Sequence, residues 1–182
     1  MKQKIKILAV IGSASPHSSN LSLVKRLQQL NDEWELSIWE DLSVLPHFDP
    51  EQAAGDSPAS VLQIRKAVAN ADGIIISTPE YIFSIPARLK NMLEWCVATT
   101  VFEQKPSGII TASASGAKGH SELQLIMQTL GARFTQETCL LIRGVKGKIS
   151  EDGIIKDPAL EEDLQKFSRA LQSLIVPAAG TP

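Results

Sequence analysis

Three short segments concentrate the residue types able to do chemistry. The first, Gly12-Ser13-Ala14-Ser15-Pro16-His17-Ser18-Ser19-Asn20, follows an apolar run and precedes an amphipathic one, which sets four hydroxyls and several backbone N–H groups at the start of a helix. A helix start of this kind offers unpaired amides and the positive end of the helix dipole, enough to hold a phosphate without lysine or arginine. Capping by Ser18, Ser19 or Asn20 accounts for one of these residues but not for the whole serine-rich loop. No Gly-Lys-Ser/Thr follows, and no Gly-x-Gly-x-x-Gly is present, so the P-loop and the dinucleotide-binding Rossmann fingerprint are both excluded.

The second segment, Ser77-Thr78-Pro79-Glu80-Tyr81-Ile82-Phe83-Ser84-Ile85-Pro86, runs into a helix expected to begin near Pro86, a good first helical position. Tyr81, Ile82, Phe83 and Ile85 are too apolar for an ordinary connector. They either cover something flat, such as an aromatic ring or a neighbouring subunit, or pack on the core. The third segment, Ala112-Ser113-Ala114-Ser115-Gly116-Ala117-Lys118-Gly119-His120, has small residues that let backbone amides approach a ligand, or that simply form a surface turn. One phosphate-like loop, one apolar loop and one loop of small residues together fit a phosphorylated planar ring system, of which flavin mononucleotide (FMN) is an example.

Other reactive residues give weaker signals. His17, His47 and His120 lack metal-ligand spacing, and the acidic stretch 152–163 lacks a calcium-loop pattern, so solvated polar positions and no metal site are expected. Cys96, in an apolar helix, reads as core rather than nucleophile, while Arg88 and Lys90 are expected outside on the same helix. Glu80 and Tyr81 resemble an acid–base pair, but ligand positioning or helix–loop hydrogen bonding is the preferred reading.

These loops need a frame, and the apolar periodicity supplies one. Short runs rich in Ile, Leu and Val at 4–11, 34–39, 73–77, 107–112 and 138–142 predict strands buried on both faces. Between them, helical faces are formed by Leu21, Val24, Leu27 and Leu30; by Val61, Ile64 and Val68 within 57–71; and by Leu89, Met92, Leu93 and Val97. Two further faces are Leu123, Ile126, Met127 and Leu130, and then Leu160, Leu164, Phe167, Leu171 and Leu174. The alternation predicts an α/β, doubly wound, three-layer sandwich around a five-stranded parallel sheet. The flavodoxin-like order 2-1-3-4-5 suits it, although periodicity alone does not separate that order from other doubly wound arrangements. Segment 144–158 reads as a turn-rich excursion with a hairpin through Asp152-Gly153, and 177–182 as a frayed tail. Residues 1–182 are expected to form a single domain without internal repeats.

Composition narrows the function further. With 43% hydrophobic and 21% charged residues the chain is an ordinary globular one, and a net charge of -2, from 18 Lys plus Arg and 20 Asp plus Glu, gives no footprint for nucleic acid. Two cysteines are too few for a four-sulfur zinc site or a disulfide-stapled fold, which points to a reducing compartment. The apolar start is broken by Lys6 and followed by no cleavage pattern, and no run approaches the ~20 residues of a membrane span. A cytoplasmic location without a membrane partner is therefore expected.

The loops also resemble those of a known family, the NAD(P)H-dependent FMN reductases of the flavodoxin-like superfamily, with its quinone, azo-compound and chromate reductases. The first is similar to the motif Gly-Ser-x-Arg-x-x-Ser-x-Asn, at Gly12, Ser13, Ser18 and Asn20. The second is similar to Thr-Pro-Glu-Tyr-Asn-x-Ser-x-Pro-Gly-x-Leu-Lys-Asn, from Thr78 through Asn91, and the likeness fades after about Gly144. The resemblance implies FMN as cofactor and NADPH or NADH as co-substrate, with Ser13, Ser15, Ser18, Ser19 and Asn20 around the phosphate. It places Pro79, Glu80, Tyr81, Ile82 and Phe83 along the isoalloxazine, and Ser113, Ser115 and Gly116 toward its pyrimidine edge. It further implies a ping-pong cycle from nicotinamide through flavin to a quinone, free flavin or similar small-molecule acceptor, with no catalytic side chain, in a homodimer or homotetramer. Two departures from the motifs matter: Ser15 stands in place of Arg and Ile82 in place of Asn. A flavodoxin-type electron carrier, or a protein that has lost flavin, are the rival readings.

Overall fold

A computed structural model describes residues 4–15 and 18–176. Pro16 and His17, within the first loop, and the tail expected to fray at 177–182 lie outside the described residues. Strands β1 (Ile5–Ile11), β2 (Trp34–Trp39), β3 (Gly73–Thr78), β4 (Ser107–Ser113) and β5 (Cys139–Arg143) form one parallel sheet in the order β2-β1-β3-β4-β5. The helices are α1 (Ser19–Leu30), α2 (Pro50–Ala54), α3 (Ala59–Asn70), α4 (Ala87–Trp95), α5 (Ala117–Thr129) and α6 (Pro158–Ile175). The expected flavodoxin-like doubly wound sandwich is thus observed, and each expected strand lies within a residue or so of its observed bounds.

Burial on both faces explains the sheet. All six residues of β3 are buried, and alternate residues face opposite helix layers. Ile7, Ala9, Ile11, Ile75 and Ile110 pack with α1 and α6, whereas Leu8, Val10, Ile74, Ile76 and Ile109 pack with α3, α4 and α5. Removing each of these Ile, Leu and Val side chains from water is worth about 1.5–3 kcal/mol, so slipping any strand by one residue would forfeit several of these contributions.

Two expectations about helices need correction. Val97 does not continue the inward face of α4: the helix ends at Trp95, and Val97 is 58% exposed. Trp95 takes the buried position instead, its indole Nε1 donating to the Pro46 carbonyl at 2.8 Å and its ring meeting Phe48 edge-on at 5.5 Å. The Arg65 guanidinium, donating from Nε to the Trp95 carbonyl at 2.9 Å, closes that end of the helix. On α1, Leu23 joins Val24 and Leu27 in the core, while Leu21 and Leu30 are only half-buried. The excursion before α6 does make a hairpin, with Ile149 bridged to Ile155 and Gly153 at φ 83° in its turn.

Candidate active site

The strand order reverses between β1 and β3. Chain leaving β1 enters α1 on one face and chain leaving β3 leads to α4 on the other, so the two loops part and a crevice opens beyond the strand ends. Gly12 marks where they touch. Its N–H donates to the Ser77 carbonyl at 2.9 Å, and a Cβ there would lie 2.4 Å from Thr78 Oγ1 and 2.9 Å from Leu89 Cδ2, so no side chain fits.

The first loop divides its hydroxyls between structure and surface. Ser18 is the N-cap of α1, buried, its Oγ accepting from the Asn20 N–H at 3.2 Å. Asn20, 3% exposed, donates from Nδ2 to the Ala112 carbonyl at 3.2 Å and accepts from Ser77 Oγ at 3.1 Å, tying this loop to β3 and β4. Ser13 is half-buried and accepts from the Ser15 N–H at 3.2 Å. The hydroxyls of Ser15 and Ser19 make no hydrogen bond among the described residues. Ser13, Ala14 and Ser15 line a cleft of about 250 Å³ together with Leu21, Asp41 and Arg88. Hydrogen bonds from Ser43 hold the Asp41 carboxyl below its ordinary range, and the Arg88 charge adds to this.

The second loop turns sharply. Tyr81 and Ser84 exchange backbone hydrogen bonds of 2.9 and 3.0 Å, and the residues between them are both left-handed, Ile82 at φ 52° and Phe83 at φ 58°. Positive φ at both central positions is the type I′ pattern, which glycine and asparagine favour and a β-branched residue resists. Ile82 is nevertheless 95% exposed, Phe83 75% and Tyr81 43%; of the four apolar residues only Ile85 enters the core. Left-handed strain of about 1–3 kcal/mol per residue, together with two side chains held out in water, gains nothing for folding.

The third loop is bound to the second through Glu80. Its carboxylate accepts from the Gly116 N–H at 3.1 Å and the Gly119 N–H at 2.8 Å, at the start of α5. The Ser113 hydroxyl donates to the Glu80 carbonyl at 3.4 Å, Ser115 is exposed, and Pro79 is buried beneath. The Glu80 carboxylate is thus engaged in helix–loop hydrogen bonding, and the Gly116 amide is turned to it. Glu122, which spacing gave no reason to select, accepts from Ser84 Oγ at 2.7 Å and from the Ile85 N–H at 3.1 Å, bracing the same turn. Arg88 and Asp41 also reach the crevice although no motif reading placed them there.

His120 is not a solvated position. It is 8% exposed, with Nδ1 2.9 Å from Thr111 Oγ1, because it shares the inward face of α5 with Leu123 and Met127. Burial lowers its pKa. His47 is exposed as expected. Among the described residues no group of three His, Cys, Asp or Glu side chains suits a metal ion, and no helix is long and apolar enough to cross a membrane.

A parallel 2-1-3-4-5 sheet with three loops gathered at its switch point defines the flavodoxin-like class of domain. The chain belongs to the NADPH-dependent FMN reductase family, whose model matches residues 5–144, and it is an oxidoreductase of that family. It is 30% identical over 171 residues to an NADH:(hydroxy)cinnamate reductase subunit of Vibrio ruber, covering 89% of this chain and 83% of that one. To an NADPH:quinone oxidoreductase of Arabidopsis thaliana it is 26% identical over 189 residues, covering 99% and 96%. Among solved structures, the flavoenzyme NAD(P)H:(acceptor) oxidoreductase FerB of Paracoccus denitrificans superposes with a TM-score of 0.82 at 25% identity, covering 94% and 97%.

Proposed function

We propose that this chain, folded as one domain over 1–182, binds FMN across the three loops and passes electrons from NADPH or NADH to a quinone, free flavin or similar small acceptor in a ping-pong cycle. The observation that carries this reading is the exposed, left-handed Ile82-Phe83 turn following β3 together with a serine-rich helix start following the adjacent strand β1. That pairing fits a molecule with a phosphate at one end and a flat apolar ring at the other.

In this reading Ser13, Ser15 and Ser19 offer hydroxyls to the phosphate, while Ser18 and Asn20 hold the loop that presents them. Pro79, Tyr81, Ile82 and Phe83 flank the ring, with Glu80 fixing the turn against α5, and Ser113, Ser115 and Gly116 lie toward the pyrimidine edge. When bound, the flavin supplies the two-electron chemistry, and the protein's part is to hold it, order the loops and leave one face open to nicotinamide and acceptor in turn. No side chain is assigned a catalytic role. A second copy of the chain covers the apolar turn in a cytoplasmic homodimer or homotetramer.

Stopped-flow mixing of the FMN-loaded protein with NADPH, and separately with NADH, tests the reading. Rapid bleaching of the flavin band with at least one nicotinamide is expected. Bound FMN that neither nicotinamide reduces would instead mark an electron carrier.

A further inference from the structure

We infer that Arg88, in the first turn of α4, is the cationic clamp for a phosphate monoester held over the Ser13 turn. This rests on the proposed phosphate site and adds to it a residue from a different element.

A phosphate monoester carries about −1.5 to −2 charges at neutral pH, and although amides, hydroxyls and a helix dipole suffice to hold it, the dipole of about +0.5 offsets only part of that charge. The loop offers no cation in its described residues, since Ser15 stands where the resembled motif has Arg. Among the described residues lining the cleft of about 250 Å³ at Ser13, Ala14 and Ser15, Arg88 is the only basic one. Among the described residues it makes no hydrogen bond or ion pair, which leaves its donor fork open to a ligand. Its position is fixed nonetheless, because the neighbouring Leu89 is fully buried and packs where Gly12 leaves room.

Asp41 and Glu40 line the same cleft and oppose an anion. The Asp41 carboxylate is taken by Ser43, accepting from its N–H at 2.8 Å and its hydroxyl at 2.6 Å, and Arg88 acts on it through charge without closing an ion pair. Arg88 therefore offsets the acidic wall while the cleft is open to solvent, and turns to the phosphate when one arrives. A planar guanidinium forms paired bonds to phosphate oxygens that an ammonium cannot reproduce.

The phosphate could be the 5′-phosphate of FMN or the 2′-phosphate of NADPH, and equilibrium titration of the flavin-free protein separates the two. FMN and riboflavin binding would be followed by fluorescence, and NADPH and NADH binding by difference spectroscopy, for wild type, Arg88→Ala, Arg88→Lys and Asp41→Asn. If the flavin phosphate is the partner, Arg88→Ala weakens FMN binding about 10- to 100-fold and leaves riboflavin unchanged, Arg88→Lys falls between, and Asp41→Asn tightens FMN. If the nicotinamide phosphate is the partner, the same series appears in NADPH against NADH. Equal affinity of wild type and Arg88→Ala for both phosphate-bearing ligands overturns the role of Arg88 while FMN binding itself stands. Failure of the wild type to bind FMN overturns the underlying site reading as well.

Discussion

The carboxylate of Glu80 lies 2.8 Å from the backbone nitrogen of Gly119, 39 residues further along the chain, and accepts its N–H. A second bond, from Gly116, makes the loop after β3 the cap of α5, a helix whose own N-cap residue supplies no side-chain bond. The partnership locks two of the three candidate ligand loops together, and it places a negative charge at the positive end of a helix.

Glu80→Ala strands both amides and should destabilise the protein by about 1–3 kcal/mol, whereas Glu80→Gln keeps an acceptor and should cost about half as much. Urea denaturation of the three proteins measures this. Unchanged midpoints for both variants would mean that the cap does not hold the loop.

Ile82→Asn should make the protein more stable, by about 1 kcal/mol, because asparagine accepts a left-handed backbone and the lost isoleucine buries almost nothing. Thermal and urea unfolding of the flavin-free protein would show it. A less stable variant would contradict the strain argument. The same variant should bind apolar quinones less tightly if the turn serves an apolar ligand.

Burial of His120 lowers its pKa from 6.5 in the fold, whereas in the unfolded chain it takes up a proton near that value. The unfolded state then binds more protons than the native one, so stability falls as pH drops below about 6.5 and is unaffected by this group above it. His120→Asn should flatten the pH dependence of the unfolding free energy between pH 7.5 and 5.5. An equal slope in both proteins would show that His120 does not contribute.

Desolvation pushes the Cys96 thiol up to about 12 and the Cys139 thiol up to about 11. Neither forms appreciable thiolate near neutral pH, and the thiolate is the nucleophile. Iodoacetamide at pH 8 should leave both unmodified in the native protein and alkylate both in urea, by mass spectrometry. Rapid native labelling of Cys96 would contradict its placement in the core.

How far the sequence reached depended on the range of the interaction. Runs such as Ile74-Ile75-Ile76 announce a doubly buried strand locally, so the sheet was legible from periodicity, while its order came from the motif resemblance. Helix α2 escaped because five residues carry no helical period, although Asp49 followed by Pro50 is a recognisable start. His120 and a solvated histidine look alike until the inward face of α5 is known. The partnership of Glu80 with Gly116 and Gly119, and the reach of Arg88 to the Ser13 turn, join segments distant in sequence and leave no local signal. The turn at 82–83 was hidden for the opposite reason: its chemistry contradicts its conformation, since Ile-Phe stands where Asn-Gly would have declared it.

In the function proposed above, the loops following β1, β3 and β4 enclose one flavin. A crystal structure of the protein grown with FMN tests it most directly. Density is expected for the phosphate at the Ser13 turn and for the ring beside Tyr81, Ile82 and Phe83. Well-ordered loops with FMN in excess and no flavin between them, or flavin bound elsewhere on the surface, would contradict it.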